Sequence, residues 1–258
     1  GNGIGYAYAG KALRVESGLL KSLRLGDYLA NPGAGIEVVA RNISHYSEEW
    51  GGLQLNSSLE VNFDSAIGKL ESYLCLDPLF LEKKVRSGLN IFFEGAQATM
   101  LDVDHGTYPF VTSSNTVAGA AYVGGDLSLK YHSKTIGVAK AIMSRVGNGP
   151  FVSEFGGEKS EKYCMEAQGK AHTKEQESAT YKPHELLKSE EGFELGIALR
   201  MLSNEYGATT GRPRRLGMLD LVQLKQACAL NGIDELYINK FDQLALFGKT
   251  TLSGIPLV

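Results

Sequence analysis

Ile91–Gly119 reads IFFEGAQATMLDVDHGTYPFVTSSNTVAG. Leu89 to Phe93 predicts a short apolar strand. From Gly95 the chain turns to small, polar and turn-forming residues. With Glu94 just ahead of it, this run holds Gln97, Asp102, Asp104, His105, Thr112, Ser113, Ser114 and Asn115. Core packing has no use for such a run. A strand emptying into a polar loop is the layout of α/β folds, whose ligands sit beyond the carboxyl ends of the strands. Gly95 permits a sharp turn or a close approach of backbone to ligand. Thr112 to Thr116 offers hydroxyl and amide groups suited to capping a helix or holding an anion. A turn-rich loop with a capped helix and no ligand is the alternative reading. Gln97 carries a primary amide, which donates to an oxygen and accepts from a ring N–H at once. Asp102 and Asp104 alternate and so share one face of an extended segment. A metal pair and a pair of turn-stabilising carboxylates both fit that spacing, and the second is preferred.

The same stretch resembles the adenylosuccinate synthetases, purine-pathway enzymes that join IMP to aspartate using GTP. Their run reads close to EGAQGxLLDxDHGTYPxVTSSNTTAGG. This chain departs from it at Ala98, Met100, Val117 and Ala120, and no departure removes a polar group. The resemblance implies an α/β fold with a large, mostly parallel central sheet flanked by helices, akin to P-loop NTPases. It implies a single domain over residues 1–258, with a polar insertion at about 156–202. It places Gln97 at the 6-oxygen of IMP, where a neutral donor suits charge that develops during reaction. It places Thr112 at the IMP phosphate and Leu101 in the base pocket. It makes His105 a hydrogen-bonded residue shaping the loop rather than a general acid.

The chain has 258 residues, 43% of them hydrophobic, enough for one large α/β domain or two small ones. A net charge of −3 implies no broad basic surface, so nucleic acid is not an expected partner. Three dispersed cysteines, Cys75, Cys164 and Cys228, argue for a reducing, cytoplasmic setting and against a disulfide framework or zinc site. No run is long enough to span a membrane. The start at Gly1-Asn2-Gly3, without methionine, is expected of the middle of a longer protein.

Gly1–Arg14, GNGIGYAYAGKALR, is glycine-rich but lacks a GxxxxGK[ST] phosphate loop. It resembles the family's GRGIGPAYxDKxxR run, departing at Asn2, Tyr6, Ala9 and Gly10. That likeness makes Arg14 the arginine that reaches the IMP phosphate of the neighbouring subunit in a homodimer; a solvated surface arginine is the alternative. Ser17 to Ala30 predicts a helix ended by Asn31-Pro32-Gly33, and Ala34 to Ser58 shows no clear period. Asp64 to Leu76 predicts a helix. Asp77 is expected to cap a further one, with Pro78 at its first position and Gly88 at its close. Lys134 to Gly149 predicts a helix passing into a strand and a glycine turn. It matches the family's STRVGxGPF, and that likeness puts the Val146 backbone at the nucleotide sugar; an ordinary αβ connection is the alternative. Lys, Glu, Gln and Ser crowd Glu158 to Glu191, which predicts a solvated, partly helical or mobile insertion. Phe193 to Leu202 then predicts an amphipathic helix.

Glu205–Asp220, EYGATTGRPRRLGMLD, is the second dense motif. A flexible polar turn precedes Arg212, Arg214 and Arg215, and arginine holds carboxylate or phosphate oxygens by paired hydrogen bonds. A solvated basic turn is the alternative. The family's GATTGRxRR loop closes on aspartate. By that likeness Ala208, Thr209, Thr210, Gly211 and Arg212 serve aspartate, Arg212 also approaches the IMP sugar, and Arg214 the GTP. Leu221 to Leu230 predicts a helix capped by Asp220 and stopped by Asn231-Gly232. Glu235 to Ile238 predicts a strand, and Asn239-Lys240-Phe241-Asp242 follows it. NKxD after a strand is a guanine-reading pattern. The carboxylate accepts from guanine N1–H and N2–H together, which adenine cannot offer, while the lysine stem covers the base face. Lys240, Phe241 and Asp242 are therefore the expected GTP contacts.

The family's GDEGKGK run, whose aspartate removes the IMP N1 proton and binds magnesium, does not occur in these residues. Magnesium ligands are expected from outside the chain and none within it, with GTP as co-substrate. The resemblance implies two steps: GTP phosphorylates the IMP 6-oxygen, then the aspartate amine displaces phosphate at C6. The 258 residues alone are expected to be inactive. A non-catalytic nucleotide-binding module, or a different GTP-dependent enzyme, is the alternative function.

Overall fold

Tyr28 sets the packing of the first unit. It lies on helix α2 (Leu25–Ala30), after helix α1 (Ile4–Leu13) and the antiparallel pair β1 (Val15–Glu16) and β2 (Leu19–Leu20). Its ring is 1% exposed and lies so close to Gly35 of helix α3 (Pro32–Glu49) that a Cβ there would meet it at 2.4 Å. Its hydroxyl donates to Asp64 Oδ1 at 2.6 Å on helix α4 (Ser57–Leu70), and Phe63 meets the ring edge-on at 5.2 Å. One aromatic residue thus joins three helices. In this computed structural model the described residues are 4–16, 19–20, 22–49, 57–207 and 211–250. They form two compact units, one of residues 1–94, 112–114 and 122–131, the other of 95–111, 115–121 and 132–258.

Helix α5 (Phe80–Arg86) follows a turn in which Asp77 Oδ1 accepts from the Leu79 N–H at 3.0 Å. The helix therefore begins two residues beyond the expected Pro78. Gly88, at φ +89°, closes it by donating to the Val85 carbonyl at 2.9 Å. The expected helix over 17–30 is confined to α2, and part of that stretch lies outside the described residues. The stretch without a clear period holds the long helix α3. Leu89 to Phe93 joins no ladder among the described residues, and Phe92 is 78% exposed, so the expected strand is not formed there. A strand is defined by its partner, and sequence pattern cannot supply one. Helix α6 (Ala120–Gly124) comes next.

The second unit has the expected α/β class. Strands β3 (Ile136–Lys140) and β6 (Glu235–Asn239) pair in parallel, Ile136 opposite Glu235 and Lys140 opposite Asn239. Strands β4 (Ile142–Arg145) and β5 (Arg215–Met218) pair antiparallel, Arg145 opposite Arg215. The sheet among the described residues is therefore a set of two-stranded ladders, narrower than the sequence led us to expect. In Lys134 to Gly149 the expected strand and glycine turn are present as β4 and Gly147, but the expected helix is strand β3. Thr135, Ile136 and Val138 favour extended backbone, and long-range pairing overrides the helix-forming Ala139 to Met143.

The insertion is ordered and partly internal. It holds helices α7 (Gly157–Met165), α8 (Lys174–Thr180), α9 (Pro183–Leu186) and α10 (Gly192–Ser203). Leu187, Ala198 and Leu199 share a core with Ile142, Phe155 and Leu216. Its charges are not all solvated: Glu177 and Arg200 pair inside, each 1% exposed. Helix α11 (Leu221–Asn231) is capped as expected, Asp220 Oδ1 accepting from Gln223 N–H at 3.0 Å, and Gly232 ends it at φ +59°. Among the described residues no helix is long and apolar enough to cross a membrane.

Candidate functional site

Asp102 organises the Gly95–Val117 loop. Its carboxylate is fully buried and accepts backbone N–H bonds from Asp104 (2.9 Å), His105 (3.0 Å), Thr116 (2.5 Å) and Val117 (3.2 Å). Burial alone would raise its pKa, but these four donors outweigh it and hold the carboxyl down to about 2. Asn115 Nδ2 bridges Asp102 (3.3 Å) and Asp104 (2.6 Å). The alternating aspartates thus shape a turn. Thr116 is spent on this scaffold, its hydroxyl donating to the Ala98 carbonyl at 2.8 Å, and α6 starts only at Ala120, so the threonine-serine run does not cap it. Gly106 is wedged against the same turn: a Cβ there would lie 2.4 Å from the Met100 carbonyl oxygen.

This scaffold presents Gln97 exposed, at φ +63°, a left-handed conformation uncommon for a residue with a side chain. Such a conformation persists where its surroundings over-determine it, as at ligand sites. Leu101 is half-buried in the same loop. Asn231, at the end of α11, ties this loop to the strand that follows. Its Oδ1 accepts from Ala118 N–H at 2.8 Å and its Nδ2 donates to Thr99 Oγ1 at 3.0 Å. The sequence showed Asn231 only as a helix stop.

Val146 is exposed in a turn held from both sides. Arg145 Nη2 donates to Thr107 Oγ1 and the Phe110 carbonyl, both at 3.1 Å. Arg215 Nη1 donates to the carbonyls of Gly147 (3.0 Å) and Gly149 (2.8 Å), and its other nitrogens pair with Glu154 at 2.8 and 2.5 Å. Arg215 is 2% exposed and structural, unlike its neighbours in the arginine run.

The arginine loop is closed at its base. Tyr206 and Pro213 form an antiparallel bridge, Gly207 N–H donates to the Arg212 carbonyl at 2.8 Å, and Arg214 N–H to the Glu205 carbonyl at 3.2 Å. Gly211 and Arg212 stand half-buried above this stem; Ala208, Thr209 and Thr210 lie outside the described residues. Below it, Glu205 meets three cations: Lys140 at 2.7 Å, Arg214 at 2.9 Å and Lys240 at 3.5 Å. Burial opposes ionisation of Glu205, but Lys140 and Arg214 prevail and its pKa falls. Lys240 also donates to the Ser203 carbonyl at 2.7 Å and takes φ +60° at the end of β6. Phe241 is 67% exposed and Asp242 is exposed beside it.

The second unit therefore carries Gln97, Leu101, Val146, Gly211, Arg212, Arg214, Lys240, Phe241 and Asp242, and it joins Arg214 to Lys240 through one carboxylate. Arg14, exposed at φ +59°, and Thr112, half-buried, belong to the first unit. Among the described residues no three carboxylate, imidazole or thiolate groups are placed to hold a metal ion.

The family model described as adenylosuccinate synthetase matches residues 1–253. The chain belongs to the adenylosuccinate synthetase family. It is 43% identical over 258 residues to adenylosuccinate synthetase 2 of Cupriavidus pinatubonensis, covering all of this chain and 56% of the relative. It is 38% identical to adenylosuccinate synthetase of Syntrophobacter fumaroxidans, covering 99% of this chain and 49% of the relative. The fully ligated adenylosuccinate synthetase of Plasmodium falciparum superposes with a TM-score of 0.67 at 28% identity, over 94% of this chain and 47% of that one. The chain thus spans about half the length of the adenylosuccinate synthetases it matches.

Proposed function

We propose that this chain carries substrate-holding parts of a GTP-dependent ligase that joins IMP to L-aspartate, giving adenylosuccinate, GDP and phosphate. The observation that carries this is Asn239-Lys240-Phe241-Asp242 at the carboxyl end of a parallel strand, with Lys240 and Arg214 meeting at Glu205. Strand ends of this kind are where α/β folds take ligands, and the membership of the chain in the family supplies the substrates. In this reading Asp242 accepts from guanine N1–H and N2–H, Lys240 and Phe241 border the base, and Arg214 serves the GTP phosphates. Gln97 donates to the IMP 6-oxygen as it gains a phosphoryl group, with Leu101 and the Val146 backbone along the nucleoside. Thr112 takes the IMP phosphate, and Arg14 supplies the corresponding contact to the second subunit of a cytoplasmic homodimer. Residues 208–212 hold the aspartate carboxylates by hydroxyl, amide and guanidinium donors.

Binding here acts by placement: the reacting oxygen, amine and phosphoryl group are brought into line, and fixed donors meet charge where it develops. The magnesium that the family implies would take its ligands from outside the described residues. Titration of the chain with GDP and ADP by calorimetry tests the reading. A guanine preference of at least about ten-fold is expected, the weight of one charge-assisted hydrogen bond. Equal affinity for the two nucleotides would remove it.

A further inference from the structure

We infer that Glu205 is a positioning residue for guanine recognition, holding the base-reading turn in place without touching the nucleotide. The inference rests on the function proposed above. Glu205 is 3% exposed and belongs to no motif of its own; the sequence marks it only as the start of the arginine loop. Three cations from three separate parts of the second unit converge on it. Lys140 comes from the end of β3, Arg214 from the residue before β5, and Lys240 from the residue after β6. Its backbone is fixed as well, donating to the Arg200 carbonyl at 3.0 Å and accepting from Arg214 N–H at 3.2 Å. It is the carboxylate that lets Arg214 and Lys240 lie close together, since without it these charges repel.

Asp242 makes this matter for recognition. Among the described residues its carboxylate receives a hydrogen bond only from the adjacent Gln243, at 2.6 Å. Its aim is therefore set by the backbone of the Lys240 turn. That turn has Lys240 in a left-handed conformation that an L side chain adopts at a cost. The lysine head offsets this by its two anchors, the Ser203 carbonyl at 2.7 Å and Glu205 at 3.5 Å. If the carboxylate becomes an amide, the head is left facing Lys140 and Arg214 uncompensated, with the Ser203 carbonyl as its remaining anchor, and the turn is held less firmly. The cluster then carries one more net positive charge. Phosphate attraction survives or grows while reading of the base is lost.

The experiment compares GDP with IDP, which lacks the 2-amino group that Asp242 would accept from. Binding to the full 258-residue chain is measured by calorimetry, with far-UV circular dichroism recorded for each variant. The wild type is expected to prefer GDP about ten-fold. Glu205→Gln should bring that ratio below about three-fold, while IDP affinity stays within about three-fold of wild type. Loss of folded protein would lower both nucleotides together and leave their ratio unchanged. Glu205→Asp, which keeps the charge at shorter reach, should recover part of the preference. Lys240→Met attacks the same link from the other end. It should lower the ratio equally, and the double variant should be no worse than either single one. A wild type that does not distinguish GDP from IDP overturns the guanine reading itself. A wild-type preference that persists in both Glu205→Gln and Lys240→Met overturns only the positioning role.

Discussion

Arg200 closes on Glu177 through Nε and Nη2, the Nε bond measuring 3.0 Å, and neither side chain is more than 1% exposed. Tyr206 O–H donates to the same carboxylate at 2.5 Å, and Arg200 Nη1 donates to the Arg214 carbonyl at 3.1 Å. An insertion rich in charge thus buries its pair beneath the arginine loop. Removing one partner strands the other in a medium that cannot solvate it. Glu177→Gln or Arg200→Met should each cost about 3–5 kcal/mol. Glu177→Leu combined with Arg200→Met should cost less than either single change. Urea unfolding checks this, and a single-variant loss below about 1 kcal/mol would contradict it.

Asp102 gives the central loop an acid limit. Its folded pKa lies at about 2, below the usual 3.8, so its stabilising effect is complete above the usual value. The effect is lost as pH falls from there through about 2. Asp102→Asn should lower stability at neutral pH by about 2 kcal/mol, since an amide nitrogen faces backbone donors. It should also flatten the stability profile between pH 4 and 2, roughly the window of that titration. Unfolding curves across this range decide the point.

Gly106 and Gly119 give a contrast in backbone space. A methyl at Gly106 would press on the carbonyl oxygens of Met100 and Asp102 at 2.4 and 2.5 Å. At Gly119 nothing lies within 4 Å. Gly106→Ala should lower stability by about 2 kcal/mol or more, and Gly119→Ala by less than about 0.5. Thermal melts of the two variants should separate clearly.

Asp242→Asn should exchange the base that is read. An amide donates where a carboxylate accepts, so it suits the 2-oxo group of xanthine and not the 2-amino group of guanine. GDP affinity should fall at least about ten-fold while XDP affinity rises. Calorimetric titration with both diphosphates reads the exchange, and an unchanged GDP affinity would remove Asp242 from the base.

What sequence could show depended on where each residue's partners lie. Asp220, Asn231 and Gly232 bound α11 as expected, because caps and stops act within a few residues. Strand β6 and the NKxD turn were legible for the same reason. The first half of Lys134 to Gly149 was misread as a helix, since its strand owes its form to a partner about a hundred residues away. Arg214 and Arg215 are neighbours with opposite fates: one serves the cation cluster at Glu205, the other is locked against Glu154. No local pattern separates them. The insertion looked solvated because its charges could be counted but their pairing could not.

Asn231 couples two segments that lie far apart along the chain. Its single side chain grips Ala118 and Thr99 while its backbone ends the helix that feeds β6. The Gly95–Val117 loop and the helix that leads into β6 are thus geared through a common axle.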